Sequence, residues 1–292
     1  MERRTLVKSI AMMAGLSQVA CAQSNGAPAL PRVRAADGTQ LFYRDWGDGS
    51  PVVFSHPWAL NADIWEYQLT ELSEIGVRCI AYDRRGHGRS ADPGRGYDYD
   101  TLAADLAAVI EQLDLQDVTL VGYSMGSAEV IRYLSRYGGE RVSRVVLVSP
   151  VPPAPVSGTM FDAFIAALKQ DRPAFIAGGI SAFLGQDALV SAAMAEWVRS
   201  LFLAASPKAL IECTRSIAAG DHRPHLGALD MPTLIIQGDK DDINPLEVSG
   251  RALAEAIGGS ELRVYEGAPH GIVLTHRQRF TNDLLAFLGT GG

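Results

Sequence analysis

Short apolar runs without alternation recur along the chain, at residues 51–55, 78–82, 118–123, 144–149, 233–237 and 262–265. Runs of this length predict strands buried on both faces. Ahead of them, residues 33–36 and 40–46 flank the turn dipeptide Asp37-Gly38 and read as two further strands. Stretches with helical period lie between the runs. In 101–113, for example, Leu102, Leu106, Val109, Ile110 and Leu113 fall on one stripe. Strand alternating with helix predicts an α/β architecture, a mostly parallel eight-stranded sheet flanked by helices.

The alternation breaks once. From Val151 to about Asp230 no strand pattern is present. Pro152, Pro153 and Pro155 stop regular structure, and apolar-rich helical stretches follow at 160–169, 188–203 and 207–219. A helical cap inserted after the sixth strand is the expectation, covering residues 153–229 between two core portions, 28–152 and 230–292. Such a cap would lie over the C-terminal edge of the sheet, where open α/β sheets bind ligands.

Composition narrows the function classes. The 292 residues are 47% hydrophobic and 20% charged, which suits a globular chain and excludes intrinsic disorder. A net charge of −7 offers no basic field for nucleic acid. Three cysteines cannot build a disulfide scaffold, and no Cys/His spacing matches a zinc site. Cys79 sits in a strand-like run and Cys213 in a helical one, so two buried thiols are expected rather than a bridge. No metal or cofactor is called for, and the oligomeric state is not encoded in any readable pattern.

Residues 1–22 read as an export signal, leaving 23–292 as the mature domain. A basic start (Arg3, Arg4, Lys8) precedes an apolar stretch from Ile10 to Ala20 and the small residues Ala20-Cys21-Ala22. The stretch is too short to span a bilayer. Arg3-Arg4 resembles a twin-arginine signal, and the expected destination is the bacterial periplasm. Lipid anchoring through Cys21 is the rival reading, weakened by Gln18 where such signals usually carry Leu.

The chemistry concentrates in Gly122-Tyr123-Ser124-Met125-Gly126, a G-x-S-x-G placed directly after an apolar strand and before a helix-compatible run. That context is what a nucleophile elbow requires. The turn holds Ser124 in a strained conformation, and side chains at the flanking glycines would clash across it. A serine hydroxyl needs a base, expected on the loop after the last strand, where His270 stands. His276 reads as a surface residue, His56 and His87 fit loop roles, and His222 with His225 lack a third metal ligand. The orienting acid falls among Asp239, Asp241 and Asp242, just past a buried strand. Asp241 is the choice and Asp242 the next candidate. An oxyanion would be held by the backbone N–H of Met125 and by that of Trp58, because Pro57 has no N–H to donate.

Together these stretches resemble the cofactor-free (non-haem) haloperoxidase and aryl esterase group of the α/β-hydrolase superfamily. The likeness runs through Gly38-Thr-Gln-Leu-Phe-Tyr-Arg-Asp-Trp-Gly47, Asp83-Arg-Arg-Gly-His-Gly-Arg-Ser90, Gly122-Tyr-Ser-Met-Gly126, Gln237-Gly-Asp-Lys-Asp241 and Ala268-Pro-His-Gly271. It covers nearly all of the mature chain and is weakest in the cap. The resemblance implies an α/β-hydrolase fold, a triad of Ser124, Asp241 and His270, and an oxyanion hole of Trp58 and Met125. Members of the group hydrolyse small esters, and some make peracids from a carboxylic acid and hydrogen peroxide. Three positions depart from its pattern. Pro57 replaces a usual Gly, Ala59 stands where Pro or Leu is frequent, and Ser127 where Gly is common. Proline at the Ala59 position goes with good perhydrolysis in the group, so its absence lowers the expectation of that activity.

The reading that follows is a serine carboxylesterase for small aryl or short-chain esters. Perhydrolysis or lactone hydrolysis would use the same residues. A non-catalytic binding protein would be expected to have lost triad members, and haloalkane dehalogenase or epoxide hydrolase is disfavoured, because the nucleophile of those enzymes in this fold is Asp rather than a serine such as Ser124. Trp58, Phe161, Phe164, Phe175, Phe183, Trp197 and Ile272 are the expected walls of the substrate pocket.

Overall fold

The computed structural model describes residues 30–156, 159–186 and 190–289. The expected export signal lies outside them. Among the described residues the eight strands are β1 (Arg32–Arg34), β2 (Gln40–Trp46), β3 (Pro51–Ser55), β4 (Arg78–Tyr82), β5 (Val118–Tyr123), β6 (Val142–Val148), β7 (Thr233–Gly238) and β8 (Glu261–Tyr265). They form one sheet in the order β1-β2-β4-β3-β5-β6-β7-β8. β2 pairs antiparallel with both β1 and β4, and every other pairing is parallel. The α/β class, strand count and helical insertion after β6 are as the sequence predicts.

The central strands read as apolar runs because both their faces are covered. Val52 and Phe54 of β3, Val121 and Tyr123 of β5, and Val146 and Val148 of β6 pack into one core. The alternate residues Val53, Leu120, Val145 and Leu147 pack into a second core on the other face. Around the sheet run α1 (Glu66–Ser73), α2 (Tyr99–Gln112), α3 (Met125–Tyr137), α7 (Gly250–Ala256), α8 (Ile272–Thr275) and α9 (Arg277–Leu288). α2 starts two residues before the predicted stripe because Asp98 caps it, its carboxylate accepting from the Thr101 N–H at 2.9 Å.

Between β6 and β7 the insertion comprises α4 (Met160–Leu184), α5 (Ala192–Leu203) and α6 (Pro207–Ala219). α4 runs well past the predicted end at residue 169. It is two helical segments joined at Asp171, whose φ of −153° and ψ of 85° are not helical. Pro173 imposes the break, and the Asp171 carboxylate caps the second segment by accepting from the Ala174 N–H at 3.0 Å. No helix of the described residues is long and apolar enough to cross a membrane.

Strand order switches direction between β3 and β5. From β3 the chain goes outward to β4, then returns to the other side as β5. A crevice at the carboxyl ends of such strands is the usual ligand position in an open α/β sheet. Ser55, the last residue of β3, pairs with Gly122, the next to last of β5, beside this crevice.

Candidate active site

Ser124 occupies the turn between β5 and α3, with φ 53° and ψ −117°. That backbone is closed to most L residues, and it is sustained by the surrounding structure. The Ser124 N–H donates to Val148 O at 2.8 Å, tying the turn to β6. The two flanking glycines are required by space. A Cβ on Gly122 would lie 2.6 Å from Gly126 O, and one on Gly126 would lie 2.5 Å from Ser55 O. The Ser127 hydroxyl donates to Ser124 O at 2.6 Å and accepts from the Val151 N–H at 3.2 Å. The departure at Ser127 therefore braces the turn against the loop after β6.

His270 lies beyond β8 and is buried. Its Nδ1 stands 2.8 Å from Asp241 Oδ2. The other carboxylate oxygen, Oδ1, accepts from the N–H groups of Ile243 at 3.0 Å and Asn244 at 2.8 Å. With both oxygens engaged, the carboxylate cannot rotate away from the imidazole. The backbone of His270 is held as well, since its carbonyl accepts from Tyr123 Oη at 2.6 Å and Ser149 Oγ at 3.4 Å. Asp242 is exposed, and Asp239 accepts from the Gly267 N–H at 2.7 Å, so neither approaches the imidazole.

Ser124 and His270 line one cavity of about 200 Å³. Among the described residues no hydrogen bond joins Ser124 Oγ to His270. The hydroxyl instead lies 3.5 Å from Asn244 Nδ2, which also donates to Ser149 O at 3.0 Å. Catalytic hydrogen bonds are often long before substrate tightens them. Asn244 has no motif around it in the sequence. Its place follows from the turn that Asp241 organises.

Trp58 lies on the loop after β3, beside the cavity. Its indole N–H donates to Leu210 O in α6 at 3.1 Å, and its ring meets Phe164 edge-on at 5.2 Å. Ala59, next in the chain, has φ 65°, a value closed to proline. Among the described residues no protein acceptor engages the main-chain N–H of Trp58 or of Met125. Met125 is the first residue of α3, whose opening N–H groups have no partner within the helix.

A buried polar network anchors this loop. Arg84 donates to Glu129 Oε2 from Nη2 at 2.7 Å and from Nε at 2.9 Å. Arg84 Nη2 also donates to His56 O at 2.9 Å, and the Arg84 main-chain N–H donates to His56 Nε2 at 2.9 Å. His56 therefore carries its proton on Nδ1, which donates to Pro57 O at 2.8 Å. Burial and the nearby Arg84 cation hold His56 well below the usual histidine range, so it stays neutral. Tyr82 and Ser55 hydroxyls complete the shell around Glu129.

Of the expected pocket walls, Trp58, Phe164, Phe175 and Phe183 line the cavity. Three do not. Phe161 lies one turn before Phe164, near the start of α4, and stays half-buried outside the cavity. Trp197 stacks edge-on against Tyr67 of α1. It is five residues before the cavity-lining Phe202, which on a helix turns it by about 140°. Ile272 starts α8 and is fully buried in the core rather than at the cavity. Pro57, Ile176, Gly179, Ile180, Ala182, Phe202 and Ile243 supply the remaining wall. The second segment of α4 contributes most of them, and that segment carries no signal for facing the site beyond being apolar.

The other histidines fall elsewhere. His276 is half-buried rather than on the surface, its Nδ1 2.9 Å from Thr275 Oγ1. His222 packs edge-on against Tyr99, while His225 contacts Arg132 and Ser135. Cys79 and Cys213 are free and buried, as expected. Among the described residues no group of three or more His, Cys, Asp or Glu side chains is placed to hold a metal ion.

Comparison with known proteins gives a consistent picture. Residues 50–277 match the alpha/beta hydrolase fold family. A non-heme chloroperoxidase of Streptomyces lividans is 40% identical over 88% of this chain and 98% of its own. A bifunctional esterase/perhydrolase of Acinetobacter calcoaceticus is 35% identical over 88% of this chain and 98% of its own. The crystal structure of a bromoperoxidase from Bacillus anthracis superposes with a TM-score of 0.86, at 38% identity, covering 89% of this chain and all of that one.

Proposed function

Since the chain belongs to the alpha/beta hydrolase fold family, within its group of non-heme haloperoxidases and esterases, we propose that it is a serine hydrolase of small carboxylic esters. The observation that carries this reading is the joining of a strained Ser124 and an Asp241-oriented His270 in one apolar cavity.

His270 Nε2 takes the Ser124 proton as Oγ attacks the ester carbonyl. Asp241 fixes the tautomer that leaves Nε2 free and stabilises the imidazolium that forms. The N–H groups of Met125 and Trp58 receive the oxyanion. Collapse of the intermediate expels the alcohol, which takes the proton from His270 and leaves an acyl group on Ser124. Water, deprotonated by His270, then releases the acid and restores the serine. Among the described residues the cavity lining is apolar apart from Ser124 and His270, which favours uncharged aryl or short-chain acyl groups.

Hydrogen peroxide in place of water would release a peracid from the same acyl-enzyme. The Acinetobacter relative, named for both esterase and perhydrolase activity, supports this second reading. Ala59 bears on the balance. Its φ of 65° gives the oxyanion loop a shape that a proline there could not adopt.

The test is a panel of short aryl esters, and acetate with peroxide, run on the native protein and on Ser124→Ala. Ester turnover lost by about 10⁴-fold or more in the variant is expected. Equal turnover by both proteins would refute the assignment. Residues 1–22 are proposed as a cleaved export signal with the periplasm as destination, which sequencing of the mature N-terminus tests.

A further inference from the structure

The second segment of α4 lays Phe175, Ile176, Gly179, Ile180, Ala182 and Phe183 along the cavity. Gly179 stands out in this stripe. Glycine in a helix interior is unfavourable compared with alanine. A packing demand would excuse it, but among the described residues a Cβ built on Gly179 meets nothing within 4 Å. Its φ is also not in the left-handed region, so no backbone need explains it.

Among the described lining residues Trp58, Phe164, Phe175 and Ile180 are half-buried, and solvent exposure is greatest at Gly179, Ala182 and Ile243. These are two small residues on α4 and one apolar side chain, 45% exposed, beside Asp241. At about 200 Å³ the enclosed space is smaller than the ~300–1,000 Å³ of sites that engulf a whole drug-sized ligand. An ester larger than the simplest aryl acetates therefore has to extend beyond the cavity, and it leaves past this rim.

We infer that Gly179 is a specificity-determining residue: the side chain it lacks leaves an apolar exit, bordered by Ala182 and Ile243, through which the longer arm of an ester substrate passes. The inference rests on the serine-hydrolase reading and deepens it, from small esters in general to esters with one medium-length apolar arm. Its neighbour Gly178 provides an internal control. Gly178 is also mid-helix and exposed, with nothing among the described residues within 4 Å of a Cβ, but it does not line the cavity.

Gly179→Leu and Gly178→Leu are compared with native protein and Ser124→Ala. The substrates are p-nitrophenyl esters from acetate to octanoate, and acetate esters of lengthening alcohols. Both leucine variants should raise Tm, by about 2 °C, because leucine favours helix over glycine. In Gly179→Leu alone, kcat/KM for the longest member of one series should fall roughly 10-fold or more relative to its shortest. A Gly179→Leu ratio within about twofold of native in both series would overturn the inference. So would an equal change in Gly178→Leu, or a native enzyme that turns over acetates but no longer ester. In each of those cases Ser124-dependent turnover leaves the serine-hydrolase reading standing. Turnover unaffected by Ser124→Ala would instead remove that reading and this one together.

Discussion

Arg84 and Glu129 form an ion pair of 2.7 Å in which neither side chain is reached by solvent. The same guanidinium donates to the carbonyl of His56, two residues before Trp58. Glu129→Gln leaves the Arg84 cation buried without its counter-charge, and should destabilise the protein by about 3–5 kcal/mol. Arg84→Met combined with Glu129→Leu should recover much of that stability, because an apolar pair of similar volume often substitutes for a buried ion pair. Ester turnover should not recover with it, since the guanidinium's hold on the His56 carbonyl is gone and only the main-chain bond to His56 Nε2 is left. Urea unfolding alongside kcat/KM checks both halves. A double variant that regains full activity would show that the network serves stability alone.

Asp241→Asn tests the acid. Asp241 Oδ1 accepts two main-chain N–H groups, so the amide oxygen of the asparagine takes that position and its NH₂ faces His270 Nδ1. The imidazole then has to accept at Nδ1 and carry its proton on Nε2, where it cannot act as base. kcat should fall by about 10³–10⁴-fold with Tm little changed. A loss of less than about tenfold would contradict Asp241 as the orienting acid.

Much of this arrangement can be read in the sequence. Strands β3, β4 and β5 begin and end where their apolar runs do, because both faces are buried and no alternation blurs the edges. The order Ser124, Asp241, His270 is visible because each follows a strand. The cap is less legible. Its aromatic residues are all apolar, and which face of α4 or α5 meets the cavity depends on tertiary docking. Hence Trp197 and Phe202, on one helix, have different roles. Asn244 is invisible for a similar reason, being placed by the Asp241 turn rather than by any spacing.

Acidification should destabilise the fold through its buried histidines. Burial, with the Arg84 cation nearby, pushes His87 down to about 3, and burial pushes His222 down to about 4. The unfolded chain takes up these protons near pH 6.5, whereas the folded protein refuses them. Below about pH 6.5 the unfolded state therefore binds more protons, and stability falls as pH falls. Each such histidine contributes about 1.4 kcal/mol per pH unit, until its own folded value is reached. His87→Asn keeps a donor for Arg85 O, to which Nδ1 bonds at 2.9 Å, and removes the titration. Urea unfolding between about pH 6 and pH 5 should show a slope smaller by about 1.4 kcal/mol per unit in the variant. An unchanged slope would mean that His87 protonates freely in the folded protein.

In the proposed mechanism Ser124 is the group that bonds covalently to the acyl carbon. The direct measurement is mass spectrometry of the intact and digested protein after treatment with phenylmethylsulfonyl fluoride. A single adduct on the peptide containing Ser124, formed in step with loss of ester turnover and absent from Ser124→Ala, is the predicted result. Turnover that survives complete modification of Ser124, or inactivation with the adduct on another residue, would contradict it.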